Sequence, residues 1–522
     1  MILKKIKSTL ALALTCLLFS SSCSSFFDGV NIIVTLKEEV QPIATLQIMD
    51  AVTGEVPNNL TLTLSGADKS SIVNFNGGKN FNVNEQGIIT FAIQHSSENV
   101  ERVDFDVTVN ANGYVSSSLH ISFYGEEINS YVLGLVHPDN TPEGVYATAP
   151  QIENSSDGIT ANTVISASPE QAPETTAYIQ IAEGTQVFAQ NGNQIEGDLE
   201  VKLVYFDPTS EEALRAFPGG LEVYANIDNN EPEAGVFTSA GLVNITMESG
   251  GKSVKTFSES ILVDIEINSE IYNPEEGRTI REGDEIPYWS MSTSTNQWEL
   301  EGTTVVELNS QSGKLYARME VDHLSYWNLD WFSSANCTQN SRVIINLNNL
   351  PEGYYPCGLE NTETGLIFRY AWKYLKDGDA ITFYNTPQSM NVRLHVFENG
   401  VCNRNSMAIS EEFAICGEVN KVLNLNATTS TPDVVNFDLK AECIDNPDIS
   451  ARPNTPIYFK SSDCRYWQYL GYMYNGKMTT SQLVIGKTYE FWTVYSDVFT
   501  YLVPSSNIEY VYQYAESPCN SN

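Results

Sequence analysis

The chain has 522 residues, with 65 acidic and 28 basic side chains, and its formal net charge is −37 at pH 7. An exterior this acidic repels phosphate backbones and anionic lipid headgroups, which excludes nucleic acid as a partner and electrostatic docking onto a membrane. The length is sufficient for several domains.

The first 22 residues predict an export signal. Met1–Lys7 carries three lysines, and Leu10–Phe19 is an apolar run too short to span a membrane as a mature helix. Three serines then precede Cys23, and small residues directly before a cysteine resemble the lipobox of bacterial lipoproteins. The resemblance implies cleavage after residue 22, a diacylated Cys23 and a short tether, 23–30. Cys16 is a weaker candidate for the lipidated residue, and plain secretion is the alternative.

A lipid at Cys23 implies both a location and a partner. It would hold the protein on the bacterial cell envelope, at the outer membrane, as in surface lipoproteins of the Bacteroidetes type. No other segment approaches the eighteen or so apolar residues of a membrane helix. The anchor is therefore the one predicted membrane contact.

Cysteines divide the chain into two parts. None occurs between Ser24 and Asn336. The seven in the last third are Cys337, Cys357, Cys402, Cys416, Cys443, Cys464 and Cys519. In an exported protein they predict disulfides in the C-terminal part only, with one thiol left over because seven is odd. No C-x-x-C pair occurs and the histidines are scattered, so no metal site and no cofactor is predicted.

The first predicted module spans 31–137. Apolar and polar residues alternate in runs such as Val103–Val109, with turn signals such as Asn112-Gly113 about every ten residues. This pattern predicts a small antiparallel β-sandwich. The runs Asp50–Pro57, with its Thr-Gly turn, and Asn84–Gly87 resemble the carboxypeptidase-regulatory, transthyretin-like fold. The resemblance implies a spacer or stabilising module without catalysis.

Residues 138–176 are rich in Pro, Ser, Asn and Thr and predict a linker. The module that follows, 177–332, predicts a second all-β sandwich with one short helical run, Ser210–Ala216. Its strands and its Trp-containing hairpin resemble the ZU5 and cartilage-intermediate-layer-protein modules.

The stretch Pro287–Phe332 ends this second module and has the most specific residue choices in the chain. Trp289 and Trp298 flank a polar turn, Gly302 opens a predicted strand over Thr303–Leu308, and Gly313 lies in the turn that follows it. The pattern predicts a β-meander with an aromatic core that closes on a His-Leu-Ser tripeptide.

That tripeptide resembles the proteolysis site that ends the autoproteolysis-inducing domain of adhesion-type receptors. The resemblance implies that Ser325 attacks the carbonyl of Leu324 while His323 acts as general base. Two departures weaken it: the cysteines that staple the receptor motif are absent, and Trp327 replaces a smaller ring. The alternative, which we favour, is a core strand with His323 and Trp327 buried as packing residues and no cleavage.

The tail predicts two further Ig-like sandwiches, 337–438 and 439–522. The last is rich in aromatic residues that partly alternate along the chain: Tyr466, Trp467, Tyr469, Tyr472 and Tyr474. Rings that point out of a sheet can stack on sugars or on a partner, so these residues are candidates for glycan binding. The alternative, again favoured, is that the rings fill the core.

Catalytic signatures are missing. The sequence has no G-x-S-x-G elbow and no H-E-x-x-H motif, and its two phosphate-loop-like runs lack the leading glycine. The predicted fold class is therefore all-β, with tandem antiparallel β-sandwich (Ig-like) domains. The predicted function is adhesion or recognition through tandem β-sandwiches on a lipid-anchored protein that is not an enzyme, with a glycan or a protein as its ligand. The alternatives are self-cleavage at Leu324-Ser325 and glycan binding through the C-terminal aromatic-rich module.

Overall fold

The computed structural model describes residues 32–34, 40–94, 102–125, 129–168, 176–227, 232–291, 296–398, 405–427, 433–464, 466–494 and 496–514. The signal, 1–22, the tether, 23–30, and the predicted anchor Cys23 lie outside these residues. The fold is all-β, as the sequence predicted, and consists of β-sandwiches in tandem. The short helical prediction is also confirmed by helix α1 (Glu211–Arg215), where Ser210 Oγ caps the helix by accepting the Ala213 N–H at 3.3 Å.

The first sandwich contains residues 40–135. It follows a short strand, and the elements in order are β1 (Ile32–Val34), β2 (Val40–Asp50), β3 (Thr61–Ser65), β4 (Ile72–Asn74), β5 (Ile88–Gln94), β6 (Val103–Asn110), β7 (Ser117–Phe123) and β8 (Asn129–Leu135). One sheet has the order β4-β5-β2-β8 and the other β3-β6-β7. Alternate residues of β6 point into the shared core, where Phe105 packs edge-on against Phe91 of the opposite sheet at 5.2 Å.

The second sandwich contains residues 145–334. Its first five strands are β9 (Val145–Thr148), β10 (Gln151–Ile152), β11 (Asn154–Ser155), β12 (Gly158–Ile159) and β13 (Thr163–Ala167). These strands occupy the segment predicted as a linker, so that prediction is wrong for them. β9 pairs with β16 in one sheet, and β13 forms an edge of the other sheet by pairing with β14. Short strands with one buried face carry too few apolar residues to give a clear alternation.

The second sandwich continues with β14 (Ala177–Ile181), β15 (Val187–Phe188), β16 (Leu199–Phe206), β17 (Glu222–Asn226), β18 (Glu233–Ser249), β19 (Lys252–Ser253), β20 (Thr256–Ile267), β21 (Tyr272–Asn273), β22 (Arg278–Thr279), β23 (Glu285–Met291), β24 (Trp298–Val305), β25 (Glu307–Leu308), β26 (Leu315–His323) and β27 (Tyr326–Ser334). The main path of one sheet is β10-β16-β18-β17-β24-β23-β27, and that of the other is β13-β14-β20-β26-β25.

The predicted meander over Pro287–Phe332 is wrong in its pairing. β23 and β24 form a hairpin, but β26 pairs with β20 in the opposite sheet, and β27 then returns to the first sheet beside β23 and β18. Gly302 lies inside β24 rather than at its start. A Cβ there would lie 2.7 Å from the Tyr288 hydroxyl, so glycine is needed for the close approach of that ring.

The third sandwich contains residues 342–426. Its strands are β28 (Arg342–Asn348), β29 (Gly353–Asn361), β30 (Ile367–Leu375), β31 (Ala380–Thr382), β32 (Asn391–Phe397), β33 (Ser406–Ile409), β34 (Phe413–Ala414) and β35 (Val419–Asn426). The sheets have the orders β31-β28-β35 and β30-β29-β32-β33, with β34 also paired to β32.

The fourth sandwich contains residues 435–514. Its strands are β36 (Val435–Cys443), β37 (Asn446–Ala451), β38 (Thr455–Ser461), β39 (Gln468–Met473), β40 (Lys477–Thr480), β41 (Thr488–Thr493), β42 (Phe499–Leu502) and β43 (Asn507–Tyr514). One sheet is β39-β38-β41-β42. The other contains β37-β36-β40, with β43 beside β36 and β1 added at the β37 edge.

Parallel pairs occur within these mostly antiparallel sandwiches. In the first, third and fourth sandwiches, an early strand pairs in parallel with the last strand: β2 with β8, β28 with β35 and β36 with β43. Pairing the two ends of each module closes it on itself. This long-range pairing has no local sequence signal, since the two strands are separated by the whole module.

The disulfide prediction is confirmed for the described cysteines. Cys337 is bonded to Cys416, which ties the start of the third sandwich to the entry of β35, and Cys443 and Cys464 are also disulfide-bonded. Cys357 is a free, buried thiol. Burial raises its pKa to about 12, so it is a packing residue and not a nucleophile at neutral pH.

The sandwiches pack against one another instead of forming a string of separate domains. A single apolar cluster contains residues of both the second and third sandwiches, including Phe237 and Trp298 of the second and Leu359 of the third. Another joins Ile88 of the first sandwich to residues of the third and fourth. Tyr326 of the second sandwich also donates a hydrogen bond from its hydroxyl to the Ser116 carbonyl of the first, so the first sandwich contacts each of the other three.

Candidate functional site

The predicted autoproteolysis residues lie at a corner where the chain crosses between sheets. His323 is the last residue of β26, and Tyr326 is the first of β27. Leu324 is partly buried against the core, and its backbone N–H donates to the Lys255 carbonyl at 2.9 Å. The tripeptide thus connects the two layers of the second sandwich.

The polar groups of the tripeptide are engaged with other partners. The Ser325 hydroxyl donates to the Met291 carbonyl. His323 Nδ1 lies 2.9 Å from Asp322 Oδ1, and its Nε2 lies 4.0 Å from Glu301 Oε1. No hydrogen bond joins His323 to Ser325 in the described part of the chain. A serine needs a base within hydrogen-bond reach to become a nucleophile, and this arrangement does not supply one.

The packing expectation for this corner is correct in part. Trp327 is 1% exposed and lies in the core of the second sandwich, as predicted. The His323 side chain is one-third exposed instead of buried, although its ring lies against Trp327 with centroids 4.8 Å apart. His323 therefore covers the edge of the core.

The candidate glycan-binding rings of the fourth sandwich are mostly unavailable. Tyr469 and Tyr472 are buried, so they are not open to a glycan, in line with the favoured alternative of buried rings. Tyr469 packs edge-on against Trp372 and Tyr354 of the third sandwich, at 5.8 and 6.0 Å. A neighbouring module therefore covers the face that the sequence left open.

The other three candidates of this sandwich differ from one another. Tyr466 and Trp467 are half-buried, and Trp467 lies beneath the Lys460 ammonium at 6.0 Å from the ring centre. Tyr474 is 62% exposed. One open tyrosine and two half-covered rings form a small platform at most.

A buried polar cluster lies on β18 and β27. Ser239 Oγ donates to Asn328 Oδ1 at 2.9 Å, and Asn328 Nδ2 donates to Asp330 Oδ2 at 2.6 Å. Trp289 Nε1 donates to the Asp330 backbone carbonyl at 2.9 Å. No cation neutralises the carboxyl in the described part of the chain, and burial raises the pKa of Asp330 well above its ordinary value. Asp330 is therefore a buried, hydrogen-bonded core residue whose neutral form is favoured by burial.

A cleft lies where the first three sandwiches meet. Its volume is about 150 Å³. The polar and aromatic residues that line it come from β7, β8 and the β7–β8 connection, from β17, and from β30 and the segment after β31: His120, Ser122, Tyr124, Asn129, Tyr131, Glu222, Tyr224, Arg369, Tyr370, Lys373, Tyr384 and Asn385. Packing of the modules creates this site, since no single sandwich contains it.

An ion pair between the second and third sandwiches closes one side of the cleft. Arg369 Nε donates to Glu222 Oε1 at 2.7 Å, and Nη2 donates to the same oxygen. The guanidinium also donates to the carbonyls of Tyr384 and Asn385 at 3.2 Å. These contacts satisfy the arginine and hold the segment after β31 against β17.

A second charged cluster forms the wall of the cleft in the first sandwich. His120 Nδ1 lies 2.8 Å from Asp106 Oδ1, and Nε2 lies 3.5 Å from Asp104 Oδ1. Burial opposes a charged imidazole, but the hydrogen bonds with Asp104 and Asp106 outweigh it and raise the pKa of His120 to about 9. His120 is therefore protonated at neutral pH, and its ring packs on Tyr224 of the second sandwich at 4.4 Å.

Tyrosines form the remaining walls. Tyr124 of the first sandwich stacks on Tyr384 of the third, with centroids 4.5 Å apart and planes 8° from parallel. The Tyr124 hydroxyl is buried, its side chain interacts with Ser122, and burial raises its pKa. The stack therefore joins the first sandwich to the third across the cleft.

The sequence did not reveal the cleft, because its residues are single positions in three modules. Tyr124, Glu222 and Arg369 form no motif, and none is near another in the chain. The one signal is the total of 27 tyrosines, which does not say where they meet.

Comparisons with known proteins do not assign a family. Protein-family models and curated protein sequences give no match. Within the described residues, no helix is both long and apolar enough to cross a membrane. No group of three or more His, Cys, Asp or Glu that could hold a metal ion occurs among those residues.

Similar solved structures include one Bacillus anthracis protein and two pilins. The Bacillus anthracis TIE protein is 8% identical, with 72% of this chain and 76% of that chain covered and a TM-score of 0.13. A streptococcal ancillary pilin is 8% identical over 45% and 93%, with a TM-score of 0.12. The Bacillus cereus major pilin subunit BcpA is 10% identical over 92% and 100%, with a TM-score of 0.12. Similarity at this level assigns neither a fold family nor a function.

Proposed function

We propose that this protein is a lipid-anchored, non-enzymatic component of the bacterial cell envelope, at the outer membrane, that recognises an extracellular ligand. The observation that carries the proposal is the packing of the sandwiches into one unit around the first. The first sandwich contacts each of the others through buried side chains. Such a unit holds a composite surface rigidly, which recognition requires.

The role of each module follows from this arrangement. The first sandwich is the central support, in agreement with the spacer role that its carboxypeptidase-regulatory resemblance implies. The second, with its ZU5-like resemblance, supplies β17 to the cleft, and the third supplies Arg369. The fourth packs its aromatic face against the third. Its buried rings stabilise the assembly, so glycan binding is assigned to the cleft between the modules and not to the fourth sandwich.

The anchor and the recognition function are tested separately. Metabolic labelling with a fatty acid should mark the protein, and Cys23→Ala should abolish the label and release the protein from the membrane fraction. Label that survives Cys23→Ala contradicts the lipid assignment.

Recognition is tested with the purified mature protein on immobilised polysaccharides and extracellular-matrix proteins. Saturable binding to at least one of them is expected. Binding to neither class contradicts the recognition function, and chemical conversion of a bound glycan contradicts the non-enzymatic assignment.

A further inference from the structure

A serine, a histidine and a glutamate lie in hydrogen-bonded order on the third sandwich. Ser406 is the first residue of β33, His395 lies on β32 and Glu360 lies on β29. His395 Nδ1 lies 2.8 Å from Ser406 Oγ, and its Nε2 lies 2.5 Å from Glu360 Oε2. The three strands are neighbours in one sheet, which fixes the spacing of the side chains. Both distances are those that a nucleophile, its base and an orienting group require.

Glu360 decides which nitrogen of His395 carries the proton. A carboxylate only accepts hydrogen bonds, so Nε2 of the imidazole is the donor in this pair. In the neutral ring, Nδ1 then has a lone pair, and the Ser406 hydroxyl is the group that donates to it. Nδ1 is therefore placed to take the proton of the Ser406 hydroxyl, as a general base does.

The surroundings hold the imidazole in this position. The side chain of His395 is 11% exposed and that of Glu360 is 15% exposed. The His395 ring stacks on Phe397 with centroids 5.9 Å apart, and Arg393 Nη1 lies 3.4 Å from Oε1, the other oxygen of Glu360. Ser406 itself is partly exposed. A sheltered base beside a serine that is open to solvent is the arrangement of an activated hydroxyl.

Two other pairs of serine and histidine in the described part of the chain fail this test. The Ser325 hydroxyl donates to a backbone carbonyl and not to His323. Ser122 Oγ lies 3.0 Å from His120 Nε2, but that imidazole is protonated at neutral pH and cannot take a second proton. The pair on the third sandwich has the contact that the first pair lacks.

From this geometry we propose that Ser406 is a nucleophile that takes up one acyl group from a carboxylic ester. Ser406 Oγ forms a bond to the acyl carbon while its proton passes to His395 Nδ1. The bond from the acyl carbon to the leaving oxygen then breaks, and that oxygen takes the proton from His395 and departs as the alcohol. Glu360 is a positioning residue that holds the imidazole. This activity goes beyond the proposed recognition function, and a single transfer without turnover is compatible with it.

The experiment uses the full mature chain and a biotin-linked fluorophosphonate, a probe whose phosphorus binds an activated serine oxygen as fluoride leaves. One label per chain is expected, and peptide mass mapping should place it on Ser406. Ser406→Ala should abolish the label. His395→Gln should slow labelling by about 100-fold, because a general base contributes roughly that much or more. Glu360→Ala should also slow it, whereas Glu360→Gln, which keeps an acceptor oxygen for Nε2–H, should restore most of the rate.

The matched control is Ser334→Ala. Ser334 is a partly exposed serine whose hydroxyl donates to Glu233 Oε2 at 2.7 Å, so its removal should leave the rate unchanged. Thermal unfolding of each variant shows whether it is folded, and mass mapping of the wild type needs no variant. A wild-type chain without label on Ser406, or a folded His395→Gln variant that labels as fast as the wild type, overturns the proposal.

A second probe, p-nitrophenyl acetate, tests the ester class. Release of one equivalent of nitrophenol with an acetyl group on Ser406 supports the transfer, and the lack of acetyl on Ser406 overturns it. Continued release that Ser406→Ala abolishes would support the nucleophile but contradict the non-enzymatic assignment. The nucleophile and the proposed function can therefore fail separately.

Discussion

We expect the corner between β26 and β27 to stabilise the second sandwich rather than to cleave the chain. Trp327→Ala tests its contribution to stability. Trp327 is 1% exposed and packs in the second sandwich beside Tyr288, at 6.3 Å between ring centres, and His323. Its Nε1 has no hydrogen-bond partner among the described residues, so the substitution removes packing alone. Emptying a core aromatic site costs about 3–5 kcal/mol.

That free energy corresponds to a measurable shift in melting temperature. One kcal/mol lowers Tm by about 2–4 °C for a unit of roughly 150–250 residues, so Trp327→Ala should lower the transition of the second sandwich by about 6–20 °C. Ser325→Ala removes the hydroxyl that donates to the Met291 carbonyl and should cost about 1 kcal/mol. Differential scanning calorimetry of the two variants and the wild type provides the measurement.

The same samples decide whether the chain cleaves itself. We expect one full-length band on a denaturing gel for the wild type, because the Ser325 hydroxyl faces a carbonyl and not His323. The control is Glu299→Ala, an exposed position on β24 that should leave Tm unchanged. This reasoning would be refuted by two bands on the gel, the smaller beginning at Ser325. It would also be refuted if the Tm of Trp327→Ala were no lower than that of Glu299→Ala.

Four further outcomes are expected. The pKa of His120 is raised to about 9, so its contribution to stability is complete below about pH 6.5 and is lost as the pH rises through about 9. Thermal scans at a series of pH values should show this loss as a falling Tm, and His120→Gln should reduce the dependence of Tm on pH. Burial also raises the pKa of Asp330, so the protonated carboxyl contributes fully to stability below its ordinary pKa, and this contribution declines as the pH rises. Asp330→Asn replaces the carboxyl with a group that does not ionise, so it should raise Tm at pH 7. Glu222→Gln should lower the free energy of unfolding more than the double variant that also carries Arg369→Met, because the single change leaves the arginine charge uncompensated. The partial exposure of Glu222 reduces this difference. Urea unfolding of the wild type and both variants measures it. The Cys357 thiol should react with iodoacetamide only after denaturation, as peptide mass mapping would show.

Local patterns in the sequence were sufficient for the fold class. Alternation with a period of two follows from the geometry of a single strand, which is why Val103–Asn110 could be assigned as a strand from its own residues. The capping serine of α1 and the C-terminal disulfides are equally local or compositional signals. The linker prediction failed at Thr163–Ala167 because a short edge strand buries only two side chains, Ile165 and Ala167.

The tertiary structure decided which strands pair and which faces are covered. The alternation of Leu315–His323 predicts a strand whether it pairs with β24 or crosses to β20, because the strand's own residues are the same in both sheets. Tyr469 could face solvent or a neighbour, and contact with the third sandwich settled the question. The cleft needs Tyr124, Glu222 and Arg369 from three modules, so only the packing of those modules brings these residues together. Strand formation depends on neighbours in the chain, whereas a composite site depends on contacts between segments that are far apart in the chain.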